Sequence, residues 1–258
     1  MASAPQQPQL PLFFNDLMPL NSRDHKNFST RQIDNAPWLA KAHAIPLTVD
    51  EFVQAQRNFP IVFSSGDNPL PLALMGLNEG VNTFVDADGK VTESVYIPAY
   101  IRRYPFMLAK LSQDATELSL MFDPTSEAVG EFKDGERLFD DEGNQTEAVG
   151  RILEFCQQFE QSAQRTQSFL TELKEADLLM DGEVSIQREG EDKPFVYRGF
   201  QMVDQEKLRE LDAEKLGNWH KNGMLMLIHA HLYSLELMRV IFGRQTQQGT
   251  APQPAAAN

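Results

Sequence analysis

Apolar residues recur through the second half of the chain with the period of a helix surface. Val149, Cys156, Ala163 and Leu170 share one position of a seven-residue repeat, and Ile152, Phe159, Thr166 and Leu173 share another. The repeat predicts one helix over residues 146–176, about 46 Å long at the usual rise per residue. Asn144 and Glu147 have the spacing of an N-cap and its capping-box partner. Phe155 and Phe169 widen the apolar face beyond a two-position seam, which favours packing on a globular body, although the seam also allows a homodimer.

Upstream the pattern shortens to that of strands. Apolar runs at 60–63 and 71–77 enclose turn-forming residues, and segments 82–85 and 90–96 flank Asp86-Ala87-Asp88-Gly89, whose Asp-Gly pair supplies the positive φ of a tight turn. Residues 60–96 therefore read as an antiparallel meander, and 117–122 as a further strand. A short helix fits between a Thr48 or Asp50 cap and Phe59. Segments 183–188 and 195–200 read as a hairpin around Glu189-Gly190-Glu191-Asp192, followed by a helix over 204–216 capped by Asp204. Residues 224–242 are apolar nearly all round, as in a buried helix. The expected fold is α+β, an antiparallel meander packed with the long helix and a buried final helix. Residues 10–244 form the expected single domain, opening with an extended arm over 10–20. Residues 1–9 and 245–258, rich in Gln, Pro and Ala, are expected to be disordered tails.

Charge and cysteine content narrow the class. The formal net charge of −14 repels phosphate backbones, so nucleic acid is not an expected partner. A single cysteine excludes an intramolecular disulfide framework and a thiolate zinc cluster. Neither a signal-peptide pattern nor an uninterrupted apolar run of roughly 18 residues is present, so a cytoplasmic protein that is not integral to a membrane is expected.

The densest chemistry lies between Tyr96 and Phe106, where Pro98 and Pro105 bracket one or two helical turns. Arg102 and Arg103 beside Tyr96, Tyr100 and Tyr104 can hold a carboxylate or a planar ring by bidentate bonds and stacking, so these five residues form the candidate site for a protein partner or a small anionic or aromatic ligand. The competing reading is that the arginines form structural ion pairs in a chain with 37 acidic residues. His229 and His231, two apart on a helix, point away from each other and cannot share one metal; with His25 they are the weak metal candidates. The acidic runs 86–89 and 140–144 lack the positions of a calcium loop and read as turns. Cys156 has no cation one turn away on its helix and reads as an inert core residue. No nucleophile elbow, phosphate-binding glycine fingerprint or serine–lysine motif is present, and no cofactor is expected.

The segments Asn21-Ser22-Arg23-Asp24-His25, Phe59-Pro60-Ile61-Val62-Phe63, Phe84-Val85-Asp86-Ala87-Asp88-Gly89, the stretch Tyr96 to Phe106, and Gly223 to Leu235 together resemble the bacterial SapC family, over roughly residues 13–242. This family is unrelated to the peptide-transporter permease of the same name. The resemblance implies a surface-layer association and an accessory role in uptake or modification of a nutrient or peptide, beside outer-membrane receptors, halogenase-like and cupin-like proteins. It implies no catalytic residues. The leading expectation is a non-catalytic binding or accessory protein; the alternatives are a metal-dependent enzyme with a histidine and carboxylate site, and a structural surface-layer component.

Overall fold

The computed structural model describes residues 10–112, 114–187 and 194–251. Its strands are β1 (Met18–Pro19), β2 (Ser29–Thr30), β3 (Ala44–Pro46), β4 (Ile61–Ser64), β5 (Pro71–Leu74), β6 (Phe106–Ala109), β7 (Ser119–Phe122), β8 (Val129–Gly130), β9 (Glu136–Arg137), β10 (Leu179–Ile186) and β11 (Phe195–Val203). Its α-helices are α1 (Phe52–Ala55), α2 (Ala99–Arg103), α3 (Glu147–Glu175), α4 (Gln205–Glu210), α5 (Ala213–Lys221), α6 (Met224–Ser234) and α7 (Leu237–Gln247). Helices and antiparallel sheets together make the fold α+β. The described residues fall into two compact units, those within 1–34 and 103–160 and those within 35–102 and 161–258.

The first unit holds two small sheets, β1-β7-β6 and β8-β2-β9. Both are antiparallel, with Phe106 opposite Phe122 and Ser29 between Gly130 and Arg137. Phe106, Leu108, Leu120 and Phe122 enter a core shared with Leu138, Phe139, Val149 and Cys156. The arm does lie along a strand, because Met18 pairs with Phe122 and Asn15 donates its backbone N–H to Asp123 Oδ2 at 2.8 Å.

The second unit is built on the five-stranded sheet β10-β11-β4-β5-β3. Fully buried Phe52, Phe59 and Phe63 fill its core, with Phe52 edge-on to Phe169 at 5.8 Å. Each such side chain contributes on the order of 2–3 kcal/mol when removed from water. The hydroxyl of Thr166, the one polar residue in the predicted seam, donates to the Ser162 carbonyl at 2.7 Å and accepts from Val49 N–H at 2.9 Å, which makes its burial tolerable.

Several expectations need adjustment. Segments 82–85 and 90–96 carry one isolated bridge, Val85 to Val91, and no strands. The turn itself is formed, with Asp86 N–H donating to Lys90 O and Thr92 N–H to Phe84 O; Gly89 (φ +79) lies so close to Ala36 and Pro37 that a Cβ there would fall 2.1 Å from the Ala36 carbonyl carbon, and Ala36 N–H donates to Gly89 O. Asn144 is not the cap of α3, which starts at Glu147 with Gly150 N–H closing its first turn on Thr146 O; Asn144 instead donates its N–H and side-chain amide to Asp140. The helix over 204–216 is two helices, because Leu211 is extended (ψ 143) and Asp212 caps a second start by accepting from Lys215 N–H. Gln245, placed by sequence in a tail, is fully buried and accepts Leu77 N–H at 2.7 Å. The final helical stretch is buried on one face only, with Met226, Tyr233 and Val240 exposed. The turn of the β10–β11 hairpin, with Glu189 to Asp192, lies outside the described residues.

Candidate functional site

The stretch from Tyr96 to Phe106 forms the predicted helical turn, α2, opened by Pro98, whose carbonyl accepts from Ile101 and Arg102. What fixes its entry is Glu51, only 5% exposed. Glu51 Oε2 accepts from Thr48 N–H and Thr48 Oγ1, both at 2.9 Å, forming a capping box; Oε1 accepts from Tyr96 OH at 2.9 Å and from Ala99 N–H at 2.6 Å. One carboxylate thus organises two helix starts and anchors Tyr96, and four donors compensate its removal from water. Burial, then the Glu51 charge, pushes the Tyr96 hydroxyl up to about 12, so it stays a donor at neutral pH.

Arg102 is the outer end of this arrangement. It is exposed, its Nε donates to the Ile97 carbonyl at 3.0 Å, and its Nη2 donates to Tyr96 OH at 3.3 Å. The guanidinium carbon lies 5.8 Å from the Tyr96 ring centre. A relay from Glu51 through Tyr96 therefore holds an exposed cation in a set orientation, an arrangement suited to a carboxylate or phosphate oxygen. Tyr100 is buried, 7% exposed.

Arg103 and Tyr104 belong to the first unit. Arg103 is also 7% exposed, its guanidinium 4.2 Å above the Phe159 ring and its Nη1 3.8 Å from Glu160. Burial outweighs Arg103 and lifts the Glu160 carboxyl above the usual range. The Cys156 thiol, buried and inert, is pushed up to about 11 by burial. Tyr104 donates to Asp123 Oδ2 at 3.3 Å and packs edge-on against Phe14 at 5.2 Å. Asp123, fully buried, also accepts from Thr125 N–H and Oγ1.

The histidines are placed differently from one another. His231 is fully buried: Val203 N–H donates to Nε2 at 3.1 Å, so the proton resides on Nδ1, which donates to the Ile61 carbonyl at 2.8 Å. Both ring nitrogens are used, leaving no lone pair for a metal. Burial depresses its pKa to about 4. His229 is exposed and stacked on Tyr233 at 5.8 Å. His25, buried against Phe28 and Phe122, accepts Asn21 N–H at its Nδ1. Among the described residues no group of three or more His, Cys, Asp or Glu is set to hold a metal ion. The acidic runs are turns, with Asp86 accepting from Asp88 and Lys90 and Asp140 from Glu142 and Asn144. An open groove beside the start of α3, lined by Glu136, Arg137, Thr146, Glu147, Ala148 and Arg151, has its arginines answered by Glu136 and Asp141.

The SapC family model matches residues 20–241, which include every residue of the candidate site. The chain belongs to the SapC family. No curated protein and no solved structure matches it. Within this SapC chain the residues that sequence reasoning overlooked are Glu51 and Asp123. The first had a readable signal, since Thr48 and Glu51 have the capping-box spacing. The second was a lone Asp before Pro124, and only folding brings Asn15 and Tyr104 to it.

Proposed function

We propose that this SapC protein is a non-catalytic binding module that engages a protein partner or a small anionic or aromatic ligand through Arg102 and Tyr96. The observation that carries this reading is the exposed Arg102 guanidinium, fixed by Ile97 O and Tyr96 OH and backed by buried Glu51. Fixing a flexible side chain before binding lowers the ordering cost of binding, and a charge-assisted bond then supplies orientation. In this reading Tyr100 shapes the frame, Arg103 and Tyr104 serve the packing of the first unit, and the protein acts in the cytoplasm as an accessory to surface-layer, uptake or peptide-modification machinery.

The test is capture from cells that make the protein natively, with wild type, Arg102→Ala and Arg102→Lys as bait. A partner retained by wild type and lost by both variants, at unchanged melting temperature, supports the reading; lysine fails because it cannot reproduce the fork. Equal retention by all three removes Arg102 from the site. Metal content of the same preparation tests the enzyme alternative: stoichiometric metal with no partner would favour it.

A further inference from the structure

The helical stretch from Met224 to Gln247 has two unlike sides. Leu235 (φ −61°, ψ −28°) and Glu236 (φ −60°, ψ −26°) keep helical angles between α6 and α7, so the stretch continues through a tightened turn. Ile228, Met238 and Ile241 are fully buried. On the other side Met226 is 58%, Tyr233 70% and Val240 48% exposed. Their spacing of seven puts them on one line, with exposed His229 stacked against Tyr233. The most apolar 18 residues have a mean hydropathy of 1.3, yet only 39% of them are buried. A core helix of that composition is normally buried on all sides.

Charge indicates what covers the stripe. From Trp219 to Gln248 the only carboxylate is Glu236, in a span that at the density of the whole chain would hold about four. Lys221 and Arg239 are exposed there together with Glu236, which lies one turn from Tyr233 and from Val240, while Arg244 is engaged by Glu93, so the exposed surplus is one cation. In a chain of net charge −14 this is a locally cationic, apolar surface. A two-fold pairing with a second copy would set that positive surplus against itself. An anionic lipid surface complements both features. Tyrosine is a residue favoured at the headgroup boundary, and screening over about 8 Å confines repulsion from the acidic remainder.

We propose that Met224–Gln247 docks this protein on membranes carrying anionic headgroups. The stretch lies in the plane of the interface, with Met226, Tyr233 and Val240 entering the headgroup–acyl boundary and Lys221 and Arg239 at headgroup level. It lies on the bilayer and does not cross it, because Ile228, Met238 and Ile241 stay in the protein core.

The experiment is co-sedimentation of the full chain with phosphatidylcholine vesicles, with and without phosphatidylglycerol, at low and physiological salt. Sedimentation with the anionic vesicles is expected, and on the order of tenfold less with phosphatidylcholine alone or with Lys221→Glu/Arg239→Glu. The triple variant Met226→Gln/Tyr233→Ser/Val240→Gln, altered only at exposed positions, loses binding by on the order of tenfold or more at an unchanged circular-dichroism melt. No sedimentation of wild type, or wild-type binding by the triple variant, overturns the proposal. So does a lipid-free dimer that the triple variant dissolves, which would assign the stripe to a second copy.

Discussion

Replacing His231 by phenylalanine keeps the ring on Phe63, 4.8 Å away, and removes both hydrogen bonds that tie the last helical stretch to β4 and β11. Val203 N–H and Ile61 C=O are then buried without a partner, at about 1–3 kcal/mol each, so roughly 2–6 kcal/mol of stability is lost at neutral pH. The wild type carries a second signature. Its folded His231 pKa of about 4 lies below the ordinary 6.5, so the unfolded chain takes up a proton that the folded chain refuses. Stability from this group is fully present above 6.5 and declines as pH falls toward 4, by about 2 kcal/mol at about pH 5 and about 3 kcal/mol at about pH 4. Phenylalanine cannot titrate, so the gap between wild type and His231→Phe should narrow by those amounts. Urea unfolding of both proteins at about pH 7.5 and about pH 5 measures the gap. A gap that stays constant, or an NMR titration of His231 with a midpoint near 6.5, would refute the buried, neutral, doubly bonded histidine.

Glu51→Gln turns one acceptor oxygen into a donor facing N–H or O–H groups; a loss of about 2–4 kcal/mol is expected in denaturant unfolding, with the Tyr96 hydroxyl titrating lower. Gly89→Ala combines a positive φ with a Cβ pressed on the Ala36 carbonyl, so destabilisation of about 2 kcal/mol or more is expected, whereas Gly66→Ala, with open space around it, costs less; thermal melts compare them. Gln245→Ala exposes the buried Leu77 N–H and should cost about 1–3 kcal/mol, with faster hydrogen exchange at Leu77.

The repeat behind α3 and the apolar runs behind β4, β5, β7, β10 and β11 were legible because each states its period locally. The two-residue strands β2, β8 and β9 were not, since two residues carry no period and their pairing is decided by distant partners. Gln245 shows the same limit: its composition is that of a tail, and its role depends on a backbone N–H 168 positions away. In the candidate site the sequence showed aromatic and cationic residues but not their depth. Arg102 and Arg103 are neighbours, yet one helical step of about 100° leaves the first exposed and the second buried. Glu51, which orders that site, lies 45 positions from Tyr96 and joins it only by folding.

The binding account rests on Arg102, and the most direct measurement is quantitative capture of native-cell proteins on wild type and Arg102→Ala side by side, with the fold of both baits checked by melting. The account predicts at least one protein or small ligand bound near stoichiometrically by wild type and reduced about 10- to 100-fold on Arg102→Ala, the worth of one charge-assisted contact of about 1.5–3 kcal/mol. Equal capture by the two baits, or no specific capture by wild type, would contradict it.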